Sequence, residues 1–175
     1  MLAHTTKLVR LSLLVSVGLI LYVLETHIPQ PLPWARIGLA NMATLMALVL
    51  WGFWEALVVA LVRTFLGSIV IGTLLSPVFL FALCGGLASL VCMGLAYRYL
   101  RPSLSVVGVS VLGALAHNLT QLFLAHWLYI QRGQIFFLLP FLLLAAVLTG
   151  FFVGAVVSLA SARRTLQVWQ METSP

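Results

Sequence analysis

Residues 135–160 read IFFLLPFLLLAAVLTGFFVGAVVSLA, a run without one charged side chain and with only Thr149 and Ser158 carrying hydroxyls. Crossing the hydrocarbon core of a bilayer takes about 20 apolar residues in a helix, or a few more when the helix tilts. The run predicts a membrane span. Gln131-Arg132-Gly133-Gln134 turns the chain ahead of it, and a polar stretch follows from residue 163.

The same pattern recurs toward the N-terminus. Spans are expected over about 104–129, from the Ser76-Pro77 break to about Tyr97, and over about 54–74, 37–53 and 8–24. Pro29-Gln30-Pro31-Leu32-Pro33 after the first is a segment no helix tolerates. Only a Gly52 corner divides the second span from the third, so residues 37–74 can also divide with part of the segment re-entrant. Gly67, Ser68 and Gly72 permit a broken helix near the end of the third span. The opening residues resemble a signal peptide, but Leu24 runs directly into Glu25 and the prolines without a cleavage site, which predicts an uncleaved first span. The expected fold is an all-α integral membrane bundle of about six helices, with a single transmembrane domain over 1–162 and a short cytoplasmic tail over 163–175.

Composition agrees. Of 175 residues, 63% are hydrophobic and 7% charged, at a mean hydropathy of +1.17. Soluble chains are about a quarter charged, so water cannot cover this surface. Nine Lys and Arg against three acidic residues form no basic face, and nucleic acid is not an expected partner. The cations sort by side instead. With the N-terminus in the cytoplasm, Lys7, Arg10, Arg98, Arg101, Arg163 and Arg164 fall at inner ends, and only Arg36 and Arg132 at outer ones. That is the positive-inside pattern, and an even number of spans returns the C-terminus to the cytoplasm. Trp34, Trp127 and Tyr129 near the outer boundary, with Tyr97, Tyr99 and Trp169 near the inner one, fit interfacial belts. Cys84 and Cys92 stand about two helical turns apart, too far for a disulfide, and read as inert thiols.

Polar side chains within the spans need a partner, a cavity or a ligand. Arg63 sits near the middle of the third span, where burying its charge costs at least ~2.5 kcal/mol. Two readings stand open: a structural guanidinium that caps carbonyls or pairs with Glu25, and an anion ligand in a central cavity. His117 and Gln121 share a helix face with Gly113, and with Asn118 they suit interhelical hydrogen bonding or a ligand cradle. Glu25 and Arg36 bracket the proline loop, either as an ion pair that closes it or as parts of a stiffened lid built on Pro29 and Pro33. In the lid reading Arg36 and Asn41 point into a pocket. Ser12 and Ser16, like Gly150 and Gly154, make small-xxx-small faces that let helices approach within the chain or against a partner.

Several chemistries are missing. There is no Gly-x-x-x-x-Gly-Lys loop, so ATP hydrolysis is not expected of this chain. No carboxylate pair or Ser–His–acid set is evident. The chain has no Asp at all, hence no aspartate-rich magnesium site for diphosphate chemistry. A binder or carrier is expected rather than an enzyme, with no cofactor and no metal.

Leu24-Glu25 … Ile28-Pro29 … Pro33, then Arg36-Ile37-Gly38-Leu39-Ala40-Asn41 and Thr44-Leu45, resembles the signature of a bacterial membrane family labelled heptaprenyl diphosphate synthase component I or Gx transporter. Arg63 with Leu66-Gly67-Ser68, the Ser76 … Cys84-Gly85-Gly86 stretch and Gly113 … His117-Asn118 … Gln121 resemble its later blocks. The resemblance covers roughly residues 8–160. The family is similar in architecture to the substrate-binding S components of energy-coupling factor transporters. It implies a multi-pass protein of the bacterial cytoplasmic membrane that binds a small molecule through Arg36, Asn41, Arg63, His117, Asn118 and Gln121. It also implies a coupling subunit with ATPases, met through small residues of the first helix, for which Ser12 and Ser16 are the candidates. The other label implies a non-catalytic membrane accessory in polyprenyl diphosphate or quinone synthesis.

Reporter fusions after Arg101 and at the C-terminus are expected to report cytoplasm, and one after Gln30 the opposite side. A C-terminus on the outer side would mean an odd number of crossings.

Overall fold

In hydrocarbon a spanning segment has to pair its own backbone groups, which a helix does within itself. The computed structural model describes residues 2–28, 37–100 and 103–172, and every regular element among them is helical. They are α1 (Leu2–His27), α2 (Asn41–Trp51), α3 (Phe53–Val70), α4 (Pro77–Tyr99) and α5 (Val106–Leu128), then a 3₁₀ turn (Gly133–Leu138) that leads into α6 (Leu139–Glu172). Among the described residues, five stretches are long and apolar enough to cross a membrane: Lys7–His27, Phe53–Val70, Pro77–Tyr99, Val106–Leu128 and Gly133–Ala162. The chain is an all-α, multi-pass membrane-type bundle.

The second expected span is the exception. α2 has 11 residues, about 16 Å at 1.5 Å per residue, roughly half a crossing. Residues 37–40 ahead of it are not helical, and Gly38 holds φ +86°, a left-handed value that glycine adopts at no steric cost. Hydropathy cannot separate an apolar run buried among helices from one that crosses lipid, so in place of the expected full second span stand a non-helical entry and a half-helix. At its other end Gly52 (φ +104°) closes α2 through its N–H to the carbonyls of Ala47 and Leu48, and its own carbonyl accepts from Ala56 N to start α3.

α3 stops at Val70, four residues before the expected end. Thr73 N donates to Ser68 O (2.8 Å) and Gly72 N to Ile69 O (3.1 Å), with Gly72 at φ +70°, the paired bonds of a Schellman cap. Gly67 and Ser68 stay helical. Ser76 caps α4, its Oγ accepting from Phe79 N, and Pro77 occupies the first turn where its missing N–H costs nothing. α6 runs past the expected end at 160 to Glu172. Residues 161–172 contain neither Pro nor Gly, so nothing there stops the helix.

α2 packs against α1, α3, α4 and α6. α1 and α3 run parallel. Lys7 Nζ meets a Glu55 carboxylate oxygen at 2.5 Å near their starts, and Tyr22 Oη lies 2.8 Å from Ser68 Oγ near their ends. Phe53 fills the notch at Gly94 of α4. Gly150 and Gly154 seat α6 on the backbone of α5: an added Cβ would lie 2.7 Å from Val111 Cα and 2.6 Å from Val107 Cα. That small-residue pair therefore serves internal packing. The start of α1 and the far part of α6 lie at the same end of the bundle, as an even number of passes requires. Large apolar side chains cover the outside, among them Phe137, Phe141, Leu148 and Leu159.

Gly154→Leu is expected to destabilise the protein by at least ~1–3 kcal/mol through overpacking against backbone that cannot yield. Phe152→Leu, on the exposed face of the same helix, should leave the melting temperature in detergent almost unchanged.

Candidate functional site

Arg63 lies ten residues after Phe53, the first residue of α3, about 15 Å along that helix and well inside the apolar layer. Its side chain is 4% exposed. Nε donates to Thr44 Oγ1 at 3.1 Å and Nη2 to Asn41 Oδ1 at 2.6 Å. Asn41 and Thr44 are three apart on α2 and so share a face. The Asn41 amide reaches on toward Ser89 Oγ of α4 at 3.5 Å. One guanidinium thus joins α3 to the first turn of α2, and the chain of contacts continues to α4.

Glycines make room for this charge. A Cβ on Gly18 of α1 would stand 2.9 Å from Arg63 Cδ, and one on Gly86 of α4 would stand 3.8 Å from Nη2. Ala43 Cβ of α2 also lies 3.0 Å from that Gly18 position, so α1, α2 and α3 meet there. Tyr22, one turn farther along α1, seats its ring in the notch at Gly67.

The non-helical entry to α2 meets the same centre. Asn41 N donates to Gly38 O at 2.9 Å and Met42 N to Leu39 O at 3.0 Å, while Ala40 offers no side-chain cap. The Glu25 carboxylate, 1% exposed at the end of α1, accepts from Gly38 N. His117 of α5 lies across from Gly38, whose added Cβ would be 3.8 Å from the imidazole Cδ2.

His117 and Gln121 both pack on Gly85 of α4, with built-Cβ distances of 2.8 Å to His117 Nδ1 and 3.4 Å to Gln121 Cγ. Gly113 takes Met93 and Ser89 in the same way. The Gly113–His117–Gln121 face therefore looks onto α4, as its spacing suggests. Asn118 turns elsewhere, its amide donating to Leu142 O of α6 at 2.9 Å. A cleft beside this centre is lined by Gly38, Asn41, Ser89, Ser110, His117 and Thr149 among others, and its volume is about 10 Å³. That admits about one water.

Of the residues expected at a site, Asn41, Arg63 and His117 come together, with Gln121 a turn beyond and Glu25 behind the entry segment. Asn118 is placed against α6. Arg36, Pro29 and Pro33 lie outside the described residues. Ser12 and Ser16 are exposed on α1, with the Ser16 hydroxyl donating to Ser12 O at 2.9 Å. Ser89, Ser110 and Thr149 were not singled out. Ser89 follows Gly85 and Gly86 by one turn, which was its signal, whereas Ser110 and Thr149 are common hydroxyls in apolar helices with none. Among the described residues no group of three His, Cys, Asp or Glu is placed to hold a metal ion.

Arg63→Gln is expected to lower stability in detergent by ~3–5 kcal/mol, the usual loss when one member of a buried charged cluster is removed. Arg63→Lys should recover only part, because a single ammonium cannot reproduce the planar fork that serves Thr44 and Asn41 at once. A variant that melts like the wild type would place Arg63 at a wet, yielding site.

Comparison with curated proteins and with solved structures gave no match. The family model for heptaprenyl diphosphate synthase component I matches residues 14–160, a range that takes in the polar centre, all of α2 to α5 and part of α1 and α6. With its Arg63–Asn41–Thr44 cluster, half-helix and glycine-seated helices all inside that range, the chain belongs to the heptaprenyl diphosphate synthase component I family.

Proposed function

We propose that this chain is a non-catalytic binding subunit of the bacterial cytoplasmic membrane that takes up a small molecule, in the manner of the S components of energy-coupling factor transporters. One observation carries the reading: the N-terminus of half-helix α2 lies in the bundle centre beside the Arg63 guanidinium. A helix N-terminus carries a partial positive charge, here with its Asn41 and Met42 N–H groups already bonded to Gly38 and Leu39. Half-helices that begin at mid-membrane, facing substrate, are a recurrent transporter device. Such a centre favours a ligand with an anionic or strongly hydrogen-bonding group: a phosphorylated cofactor, a flavin-like compound or an isoprenoid diphosphate. Asn41, Arg63, His117 and Gln121 line its place, with Arg36 and Asn118 as the further expected contacts.

The cleft of about 10 Å³ is too small for such a ligand, so binding requires the Ile37–Ala40 segment to move. The Glu25 contact to Gly38 N is the latch in this reading. With no phosphate-binding loop of its own, the chain needs ATPases reached through a coupling subunit. Ser12 and Ser16 stand exposed on α1 where such a subunit would sit.

The packed centre supports a second reading, drawn from the family's name. A component of a prenyl diphosphate synthase has no need to enclose its substrate and would present a lipid to a soluble partner. The absence of Asp from the chain leaves the chain-elongation chemistry to that partner.

Native mass spectrometry after purification in mild detergent should find a bound small molecule. Ser12→Trp and Ser16→Trp should each abolish uptake and co-purification of a coupling complex while that molecule stays bound. Normal uptake by both would sink the docking role. Co-purification of a soluble prenyl synthase, with no small molecule bound, would favour the second reading.

A further inference from the structure

Away from the polar centre, the paired starts of α1 and α3 enclose a second feature. Lys7, Leu8 and Leu11 of α1 face Trp54, Glu55 and Val58 of α3 across an open groove of about 250 Å³. Its polar end is the Lys7–Glu55 pair, with side chains 45% and 21% exposed. Leu11 and Val58 lie about one turn deeper along the two parallel helices, so the groove passes from charged to apolar in the direction in which a bilayer does. Trp54 forms one wall and is 73% exposed, at the depth where indoles settle between headgroups and chains.

We infer that this groove holds one phospholipid with a primary-amine headgroup. The charges choose the headgroup. An ammonium has three donors, of which Glu55 takes one, so Lys7 can also meet a lipid phosphate. A carboxylate has about four acceptor sites, so Glu55 can also accept from a lipid ammonium. A pair of opposite charges matches a headgroup that carries both, where a purely anionic headgroup would face Glu55 unfavourably. A quaternary choline has no N–H to give the carboxylate. The acyl chain then runs along Leu8, Leu11 and Val58, covering apolar surface that the bundle leaves open. This site is independent of the ligand proposed for the centre.

The test uses the full chain in detergent, equilibrated with mixed micelles holding equal amounts of phosphatidylethanolamine, phosphatidylglycerol and phosphatidylcholine. Bound lipids are then counted by native mass spectrometry. Phosphatidylethanolamine adducts should dominate on the wild type. Glu55→Gln should shift the ethanolamine-to-glycerol ratio toward phosphatidylglycerol by about fivefold, the scale of one exposed charge contact. Lys7→Gln should reduce all phosphate-bearing adducts, and Trp54→Ala should weaken retention without changing the headgroup ratio. Breaking so exposed an ion pair disturbs folding little, so unchanged melting is the control. A wild type that retains no phospholipid would overturn the assignment, and so would a Glu55→Gln variant that keeps the wild-type headgroup distribution. A protein found seated on Trp54 in place of lipid would overturn it as well.

Discussion

A guanidinium held in the apolar layer is the constraint around which this bundle is arranged. Arg63 cannot sit there unsolvated, and the donors it carries have to end on oxygen. Two of those bonds end on Asn41 and Thr44, which fixes the first turn of α2 at the depth of Arg63 and sets where that helix can begin. Asn41 and Arg63 stand equally far along the chain from the Gly52 corner, so folding back there brings them to the same depth. The half-helix α2 begins at that depth. It also brings the end of α1 into play, since the entry to α2 has its Gly38 N–H satisfied by Glu25.

Polar matching alone would not hold such a cluster, because lipid gives helices no hydrophobic reason to associate. Close approach supplies the attraction instead, and glycines permit it. Tyr22 enters at Gly67, the Arg63 stem at Gly18, His117 and Gln121 at Gly85, Phe53 at Gly94 and the α5 backbone at Gly150 and Gly154. Each notch admits side chain or backbone of a neighbouring helix, so the bundle is closed by shape, with the polar cluster as its register mark. The same tightness leaves the central cleft room for about one water. The non-helical Ile37–Ala40 segment is the least constrained wall there, whereas the other walls belong to long helices fastened to one another.

Much of the site was legible because hydrocarbon makes polar residues conspicuous. Arg63, Asn41 and His117 stood out for their cost, and the four-residue step from His117 to Gln121 told which face they share. Thr44 and Ser89 did not stand out, since a hydroxyl can bond its own helix and needs no distant partner; Thr64 does so with Ala60 O. Asn118 parts from its neighbour. One residue along a helix is a rotation of about 100°, enough to send its amide to α6 while His117 faces α4.

The sequence by itself determined the class of the protein, the number and order of its apolar segments, most of their ends and the residues that need partners. It could do so because span length, proline and glycine breaks, and the cost of a buried charge are local properties of the chain. Only the tertiary structure decided that the second segment is a half-helix, that α1 and α3 run side by side, and which glycine receives which side chain. Those outcomes depend on contacts between residues tens of positions apart, such as Arg63 with Asn41 and Tyr22 with Ser68. An apolar run has the same hydropathy whether protein or lipid surrounds it.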